Sequence, residues 1–469
     1  MRVNVVAQRP TTNNEHDIMF TRTQLKKTVK TSMPMIVVQF LGSINGFLGM
    51  LMLSHLGHDV LAASSILFAT YVFIFMLFSS ILFSTSVLIA QALGRGEQHT
   101  IGQMVQQSWF LSILLSIPIM LLYWFIQPIL LMLGQEPKLV AIIIPYFHTV
   151  LWGIVPIMMT MVSSQFAYGV QKPKLVMKIT GLGIFIMIFL GYAFIYGRFG
   201  FPRMGVAGWG IASAITNWVF LFAYLASFIM IKEFACFQLF SKHCHKGFHH
   251  LKKLWQVGWP ITVQTTGELA SFFFITIMVG WIGASALAAQ QVVTQYLMLL
   301  LIPIFGLTQA AGVLVGHAVG SKQHEDINAY AYATLSIAIV YCVVAFVIFN
   351  LFPTALASLF IDVHAKGVET TLHLIRVLFV IVLIAQLFDS IRNVMTGALR
   401  GLLDTRIPMI ISLTALWLIR IPLSYVMGFP LKGGLIGISL AAIIAMGIGG
   451  LLLWWRWHRK SALLIQKGV

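Results

Sequence analysis

Two acidic residues of this chain lie where a charge is costly. Of its 13 aspartates and glutamates, eleven fall in polar stretches or at the ends of apolar ones, whereas Glu268 and Asp389 lie deep inside long apolar runs. A charged side chain at the centre of a membrane helix costs roughly 2.5–3.5 kcal/mol on insertion scales. An apolar setting also favours the protonated form of a carboxylic acid. We therefore predict that Glu268 and Asp389 form a site that binds and releases protons or another cation.

Polar side chains accompany the two acids at helical spacing. Gln264, Glu268 and Ser271 fall on one helical face, and similar stripes run beside Asp389 and along the next apolar run after Ser271. Polar faces within a bilayer point at protein or water and not at lipid, which predicts a wet cleft. The predicted cleft residues are Gln264, Ser271, Gln291, Thr294, Gln295, Gln386, Arg392 and Asn393, with Gln39 and Ser43 from the first half of the chain.

The arginine nearest to Asp389 allows a second interpretation. Arg392 follows that residue by three positions, a spacing that brings two side chains of a helix together, so the pair could be a static salt bridge. Glu268 has no basic residue near it in the sequence, and a functional role is expected there. Arg420, which shortly precedes Pro422, is interpreted as a helix-pairing or lipid-headgroup residue.

The elements that must position these residues follow from the composition. The 469 residues are 59% hydrophobic and 9% charged, whereas soluble domains average about a quarter charged residues. This excludes a soluble enzyme, a nucleic-acid-binding protein and a disordered scaffold, despite the net charge of +17. Runs of this length and apolarity predict membrane-spanning helices. The 12 predicted spans cover 33–55, 64–90, 107–133, 141–168, 174–197, 207–231, 257–281, 286–316, 328–352, 371–399, 406–428 and 434–457.

The placement of lysine and arginine predicts the orientation. The two termini, the connections after the even-numbered spans and the span ends beside them hold 22 of the 30 lysines and arginines. Positive charge concentrates on the cytoplasmic side of membrane proteins, so both termini are predicted to be cytoplasmic. The polar first 30 residues do not resemble a cleavable signal peptide, whose apolar core begins earlier. The expected localisation is the cell inner or plasma membrane, crossed many times.

The chain repeats itself at an offset of 226 residues. Residues that recur at this spacing include Pro34 with Pro260, Gly57 with Gly283 and Gly94 with Gly320. Because six spans separate the copies, both halves have the same orientation, which predicts two pseudo-symmetric six-helix lobes in an all-α membrane protein. Transporters often have this design, with the substrate site between the lobes near the midplane. The first half has no acid at the counterparts of Glu268 and Asp389, which are Gly42 and about Ile157.

A basic segment between the lobes is the predicted domain boundary. It contains clustered cysteines and histidines, namely Cys236, His243, Cys244, His245, His249 and His250, but their spacing fits no standard zinc pattern. We therefore predict neither a metal site nor a disulfide framework. The predicted divisions are a cytoplasmic tail over 1–30, an N-terminal lobe over 31–231, a cytoplasmic linker over 232–256, a C-terminal lobe over 257–458 and a cytoplasmic tail over 459–469.

The sequence offers no ATP-binding motif as an energy source. The nearest approach runs from Gly316 to Lys322, with three residues between its glycines, and Gln323 stands where a P-loop places Ser or Thr. An ion gradient is the remaining supply. An intramembrane protease with paired acids is disfavoured because Asp389 follows Phe388 and not Tyr. A channel would not need a twofold repeat with acids in one half only.

Taken in order, these motifs resemble the MATE (multidrug and toxic compound extrusion) family over roughly residues 25–455. In the bacterial NorM branch a proline opens span 7 and a Glu follows eight residues later, as Pro260 and Glu268 do here. Span 10 of that branch carries Gln, an Asp three residues on, and then Gly-x-Leu-Arg-Gly. Gln386, Asp389 and the segment 397–401 match this pattern.

Departures from the family pattern bear on the coupling ion. The branch that couples through its N-terminal lobe carries aspartates on spans 1 and 5, where this chain has Gly49 and Gly191. The NorM sodium site adds a Tyr four residues before its span-10 Asp, and here that residue is Ala385. The charge placement therefore resembles most a proton-driven member that couples through the C-terminal lobe.

The resemblance implies a secondary antiporter, and not an enzyme, that exports organic, often cationic, drugs and toxic compounds in exchange for protons. Glu268 and Asp389 would couple transport to the cation, and two lobes would rock about a midplane site. The alternatives are a sodium-coupled MATE exporter and a lipid-linked precursor flippase of the same superfamily. We expect small organic cations and the lipid bilayer as partners, no nucleic acid, no cofactor beyond the coupling ion, and a monomer.

Overall fold

The computed structural model describes residues 20–241, 249–359 and 369–467. Parts of the predicted tails and of the predicted linker lie outside these ranges. The linker residues His243, Cys244 and His245 are among them. The described residues contain helices and no strand, and 12 of the helices are long and apolar enough to cross a membrane. This confirms the predicted fold class. These helices, α1 to α12, are Arg22–Ser54, His58–Gly94, Gln98–Trp124, Pro137–Gly169, Pro173–Tyr196, Val206–Met230, His249–Gly280, Ser285–Gly320, His324–Leu351, Leu372–Gly401, Arg406–Gly428 and Gly434–Leu464.

Three of the spanning helices change their winding partway. Tighter 3-10 turns interrupt α2 at Ser80–Phe83 and α4 at Leu151–Gly153, and α11 widens into a π-helix over Thr414–Arg420. Pro422 follows the widened segment; since proline lacks an N–H group, it removes one hydrogen bond from the helix and disturbs the preceding turn. Such π-segments are frequent at functional sites.

The internal repeat appears in matching backbone geometry. Gly57 and Gly283 precede the first turns of α2 and α8 with φ angles of 133° and 138°, values that only glycine adopts without strain. Each lobe also packs a glycine at the end of its fourth helix against its second helix. A β-carbon on Gly169 would collide with Ile89, and one on Gly401 would collide with Val315, the residue 226 positions after Ile89.

The two lobes touch at the end of the molecule that carries the start of α1. There Gly94 of α2 and Gly320 of α8 pack so closely that neither position has room for a β-carbon. The side-chain amide of Gln91 donates to the carbonyl oxygen of Gly401 at 2.9 Å, and the Ser80 hydroxyl donates to Thr262 at 3.1 Å. These inter-lobe hydrogen bonds hold the second half of α2 against the first half of α7 and the end of α10.

The opposite halves of these helices are more open. Gly42 and Gly46 of α1 have no heavy atom within 4 Å of the place where a β-carbon would stand, and Gln39 and Ser43 beside them are exposed. Ile36, one helical turn before Gln39, still contacts Gly306 of the other lobe. Beyond Ile36 this face of α1 therefore no longer packs against the other lobe, which is the geometry of a cleft that opens toward the end opposite the start of α1.

The segment after α6 packs beneath the N-terminal lobe. Phe234, Phe237 and Leu239 are buried there, and the amide of Gln106 in α3 donates to the carbonyl oxygen of Leu239 at 2.7 Å. This segment belongs to the predicted cytoplasmic linker over 232–256. Its apolar side chains are not solvated but pack against the lobe. Helix α7 then begins at His249, well before the apolar run that predicted it.

Candidate functional site

One arginine joins the two acids that the sequence singles out. Nη1 of Arg392 lies 2.5 Å from Oε1 of Glu268, and Nε of the same guanidinium lies 2.8 Å from Oδ1 of Asp389. The Arg392 side chain is 4% exposed, and those of Glu268 and Asp389 are 19% and 13% exposed. The predicted pairing of Asp389 with Arg392 is therefore present. The same arginine also pairs with Glu268, which has no basic neighbour in the sequence.

Glu268, Asp389 and Arg392 form an acid–arginine triad. Each acid of the triad is hydrogen-bonded by a side chain four residues away on its own helix. On α10 the amide of Asn393, four residues after Asp389, donates to both its carboxylate and its carbonyl oxygen at 2.9 Å. On α7 the amide of Gln264, four residues before Glu268, donates to the carboxylate at 3.0 Å. Each acid is thus oriented by a neighbour on its own helix, and Arg392 bridges the two helices.

A third helix completes the network around the triad. The Ser412 hydroxyl of α11 accepts hydrogen bonds from Arg392 at 3.1 Å and from Gln264 at 3.2 Å. Arg400 donates to the Oε1 atom of Gln264 at 3.4 Å, which places a second arginine close to Glu268. Neither Ser412 nor Arg400 was predicted as a site residue, because each reaches the acids only through the packing of different helices.

A cavity of about 140 Å³ adjoins the triad inside the C-terminal lobe. Asp389 and Gln386 of α10 form part of its wall, together with Thr294 of α8. Arg420, at the end of the π-segment of α11, also lines it, so this arginine faces the lobe interior and not the lipid headgroups as interpreted from sequence. The remaining wall is mostly apolar. Drug-sized ligands generally need about 300–1,000 Å³, so the cavity has room for part of such a molecule.

The other predicted cleft residues lie outside this cavity. On α8 the predicted stripe divides, because Thr294 faces the cavity with Gln290, whereas Gln291 and Gln295 are exposed. By helical spacing Gln295 shares the face of Gly306, which contacts the other lobe. Gln39 and Ser43 continue the corresponding face of α1. Ser271 is buried and donates to the carbonyl oxygen of Glu268 at 3.1 Å, so it supports the helix backbone.

The N-terminal lobe has no comparable charged network in the described residues. At the two places where one branch of the resembling family carries aspartates, Gly49 and Gly191 both lie against the indole ring of Trp209. A β-carbon at either position would collide with that ring, which is itself buried. Gly42, the counterpart of Glu268, faces open space, and Ile157 is half-buried. The interior position that could have held an acid is filled by an aromatic ring.

The part of the chain that the structure describes contains no cluster of side chains that could bind a metal ion. No group of three or more histidine, cysteine, aspartate or glutamate side chains is close enough there to hold an ion. Three of the linker residues considered above, His243, Cys244 and His245, are outside that part of the chain.

Comparison with known proteins places this arrangement in a family. The MatE family profile matches residues 34–193 and 260–426, and the two matched segments begin at the repeat-related Pro34 and Pro260. The chain is 30% identical to the "Probable multidrug resistance protein NorM" of Rhizobium meliloti, over 93% of this chain and 94% of that protein. It is 28% identical to the protein of the same name from Synechococcus sp., over 92% of each.

The fold agrees with that assignment. A solved structure described as the "Outward-facing conformation of a multidrug resistance MATE family transporter of the MOP superfamily" superposes with a TM-score of 0.86 at 19% identity, and covers 94% of this chain and 96% of that one. The family profile spans most of the chain in two copies, one in each lobe. The chain therefore belongs to the MATE family of membrane transporters, as the sequence motifs predicted.

Proposed function

We propose that this protein exports organic, often cationic, drugs and toxic compounds by antiport against protons. The observation that carries the proposal is the acid–arginine triad, in which Arg392 bonds both Glu268 and Asp389. The names of the bacterial relatives, which describe multidrug resistance proteins, support drug export over the alternative of a lipid-linked precursor flippase.

Two acids on one guanidinium suit a site that gains and loses a proton. Removing the only partner of a buried charge costs about 3–5 kcal/mol. Here either carboxylate can be protonated while Arg392 stays paired with the other, so the site avoids that cost. The proton then belongs to the pair of acids and not to one residue. An organic cation would compete with the proton for the same carboxylates, and Asp389, which lines the cavity, is the acid within its reach.

The cleft between the lobes gives this competition a direction. With the termini in the cytoplasm, as the basic residues predict, the cleft opens to the outside of the cell. In that state the acids would take up a proton and release the substrate. In the opposite state, reached by rocking of the lobes about the midplane, they would give up the proton and bind the substrate. Coupling requires only that the two states differ in affinity for each ligand.

The predicted orientation can be tested at two lysines on opposite sides. Lys138 lies in the first turn of α4 and Lys172 immediately precedes α5, at opposite ends of α4, and their side chains are 65% and 48% exposed. After replacement of each by cysteine, a membrane-impermeant thiol reagent added to intact cells should label only Lys138→Cys. Equal labelling of both variants would contradict cytoplasmic termini.

Sodium is the alternative coupling ion. Sodium and other hard cations prefer several oxygen ligands, and Ala385, which lines the cavity one turn before Asp389, offers no side-chain oxygen. The deciding experiment measures export of a fluorescent organic cation from proteoliposomes under a proton gradient alone and under a sodium gradient alone. We expect transport with the first gradient. Transport driven only by the second would replace the proton with sodium.

Single variants then test the acids in the same assay. Glu268→Gln and Asp389→Asn should reduce proton-driven export to the level of protein-free liposomes, because neither amide can exchange a proton. Glu325→Gln, at an exposed acid in the first turn of α9, is the matched control and should transport normally. Undiminished export by the Glu268 variant would reject the proposed role.

A further inference from the structure

A half-buried arginine in the cavity wall has two shielded hydrogen-bond donors without a partner. Nε and Nη1 of Arg420 are shielded from solvent and have no hydrogen-bond partner among the described residues. Nε2 of Gln386, whose residue is 4% exposed, is likewise without a partner. Both residues line the same 140 Å³ cavity. Buried donors are nearly always satisfied in proteins, and each exception calls for an explanation.

Three other arginines within this lobe form hydrogen bonds or ion pairs. Arg392 bonds two carboxylates and Ser412, and Arg456 bonds Asp404. The Nε atom of Arg400 is also unpartnered, but its Nη2 bonds Gln264 and the residue does not line the cavity. Arg420 instead lies over the ring of Phe272, with 5.4 Å from its guanidinium carbon to the ring centroid. That contact stabilises a cation without satisfying its in-plane N–H groups.

We propose that Arg420 and Gln386 form a subsite for a carboxylate or a similar acceptor group of the substrate. Nε and Nη1 lie on different edges of the guanidinium, so each offers a charge-assisted N–H group to an acceptor oxygen, and the Gln386 amide adds a further donor. Asp389 lines the same cavity with the opposite charge. The arrangement fits the polar part of a zwitterionic compound that presents its amine to Asp389 and its acid to Arg420, and the remainder of a drug-sized molecule would extend beyond the cavity.

The rest of the cavity wall is mostly apolar. Phe272, Leu301, Val382 and Met446 are among the apolar wall residues. Phenyl and methionine side chains adapt to flat aromatic ligands. The subsite rests on the proposed export of organic compounds, and it adds an acidic group to the substrates that the triad alone would select.

The test compares two dyes that differ only at the acid. A rhodamine with a free carboxyl group and its methyl ester carry the same cationic ring system. Fluorescence anisotropy with the detergent-purified full-length protein gives the Kd of each dye without requiring transport. We expect Arg420→Gln to weaken binding of the acid at least about tenfold, since hydrogen bonds to charged groups contribute that much, and to change binding of the ester less than about twofold.

Two further variants separate recognition from a structural effect. Arg376→Gln removes an exposed charge from α10 whose guanidinium bonds Thr354 outside the cavity, and it should leave both affinities unchanged. Arg420→Lys keeps the charge but loses the planar set of N–H donors, so it should retain only part of the preference for the acid. If Arg420→Gln fails to fold, as judged by gel filtration, the lysine variant alone decides.

Equal losses for acid and ester, unchanged binding of the acid, or no binding of the acid by the unaltered protein would each overturn the subsite. The proposed function has a separate readout in the proteoliposome assay with the ester dye. Proton-driven export of the ester together with equal losses in the binding assay would remove the subsite and leave antiport intact. Acid-selective binding without proton-driven export of either dye would keep the subsite and remove proton antiport.

Discussion

The two lobes have related backbones and unlike interiors. In the C-terminal lobe α7, α10 and α11 meet around two acids and the buried Arg392. In the N-terminal lobe the indole of Trp209 fills the space beside Gly49 and Gly191, and the counterpart of Glu268 is a glycine that faces open space. A duplicated backbone therefore does not require duplicated chemistry, because the polar site depends on a few side chains that helix packing does not demand.

The features that the halves share are those that backbone contact requires. Gly169 and Gly401 pack against the repeat-related residues Ile89 and Val315, and Gly94 meets Gly320 where the lobes touch. At such sites any larger side chain would collide with a neighbour. The repeat thus maintains the helix packing of both lobes, while the ionisable groups are free to differ.

The largest expected effect comes from removing the charge that joins the acids. Arg392→Met should lower the free energy of unfolding by about 3–5 kcal/mol, because it leaves buried carboxylates without their partner, and it should abolish proton-driven export. The measurements are the thermal unfolding midpoint in detergent and dye export from proteoliposomes.

A compensated variant sharpens this prediction. If unpaired charge causes the loss, adding Glu268→Gln and Asp389→Asn to Arg392→Met should recover much of the stability and none of the transport. An unchanged midpoint in Arg392→Met itself would show that the triad contributes little to the C-terminal lobe.

A large substitution in the other lobe should affect stability alone. Trp209→Ala removes a buried ring, and such truncations cost about 3–5 kcal/mol. Export by the protein that does fold should depend on the proton gradient in the same way as export by the unaltered chain, because the substitution changes no charge of the triad. Export should be compared at several gradients after correction for folded protein. Loss of gradient dependence in this variant would break the division of labour between the lobes.

The smallest expected effect comes from copying an acid into the N-terminal lobe. Gly42→Glu places a carboxylate at the counterpart of Glu268, where the cleft has room for it. Substitutions at exposed positions change the folding equilibrium by only about twofold. No arginine lies beside this position to orient the new carboxylate. Export by this variant should match that of Gly42→Gln. Restored export in a Gly42→Glu, Glu268→Gln double variant would show that the lobes are interchangeable.

The sequence predicted the helices because membrane thickness imposes a length and an apolarity that a single stretch of chain reveals. It also predicted the repeat and the two costly acids, since each is visible along the chain. Helix ends were less well predicted. The run that indicated α7 began near residue 257, whereas the polar turns from His249 onward are also helical, because beyond the lipid core a helix no longer needs apolar side chains.

Only the tertiary structure decided which side chains meet. Arg392 reaches Glu268 across 124 positions of sequence, and Gln291 and Thr294 face different surfaces of one helix. Arg420 is interpreted from the sequence as a helix-pairing or lipid-headgroup residue, yet it lies at the end of the widened turn of α11 in the cavity wall. Each outcome depends on how a helix is rotated about its axis against its neighbours. One residue of rotation is about 100° in a helix, so small differences in packing decide whether a polar group faces the site, the cleft or the lipid.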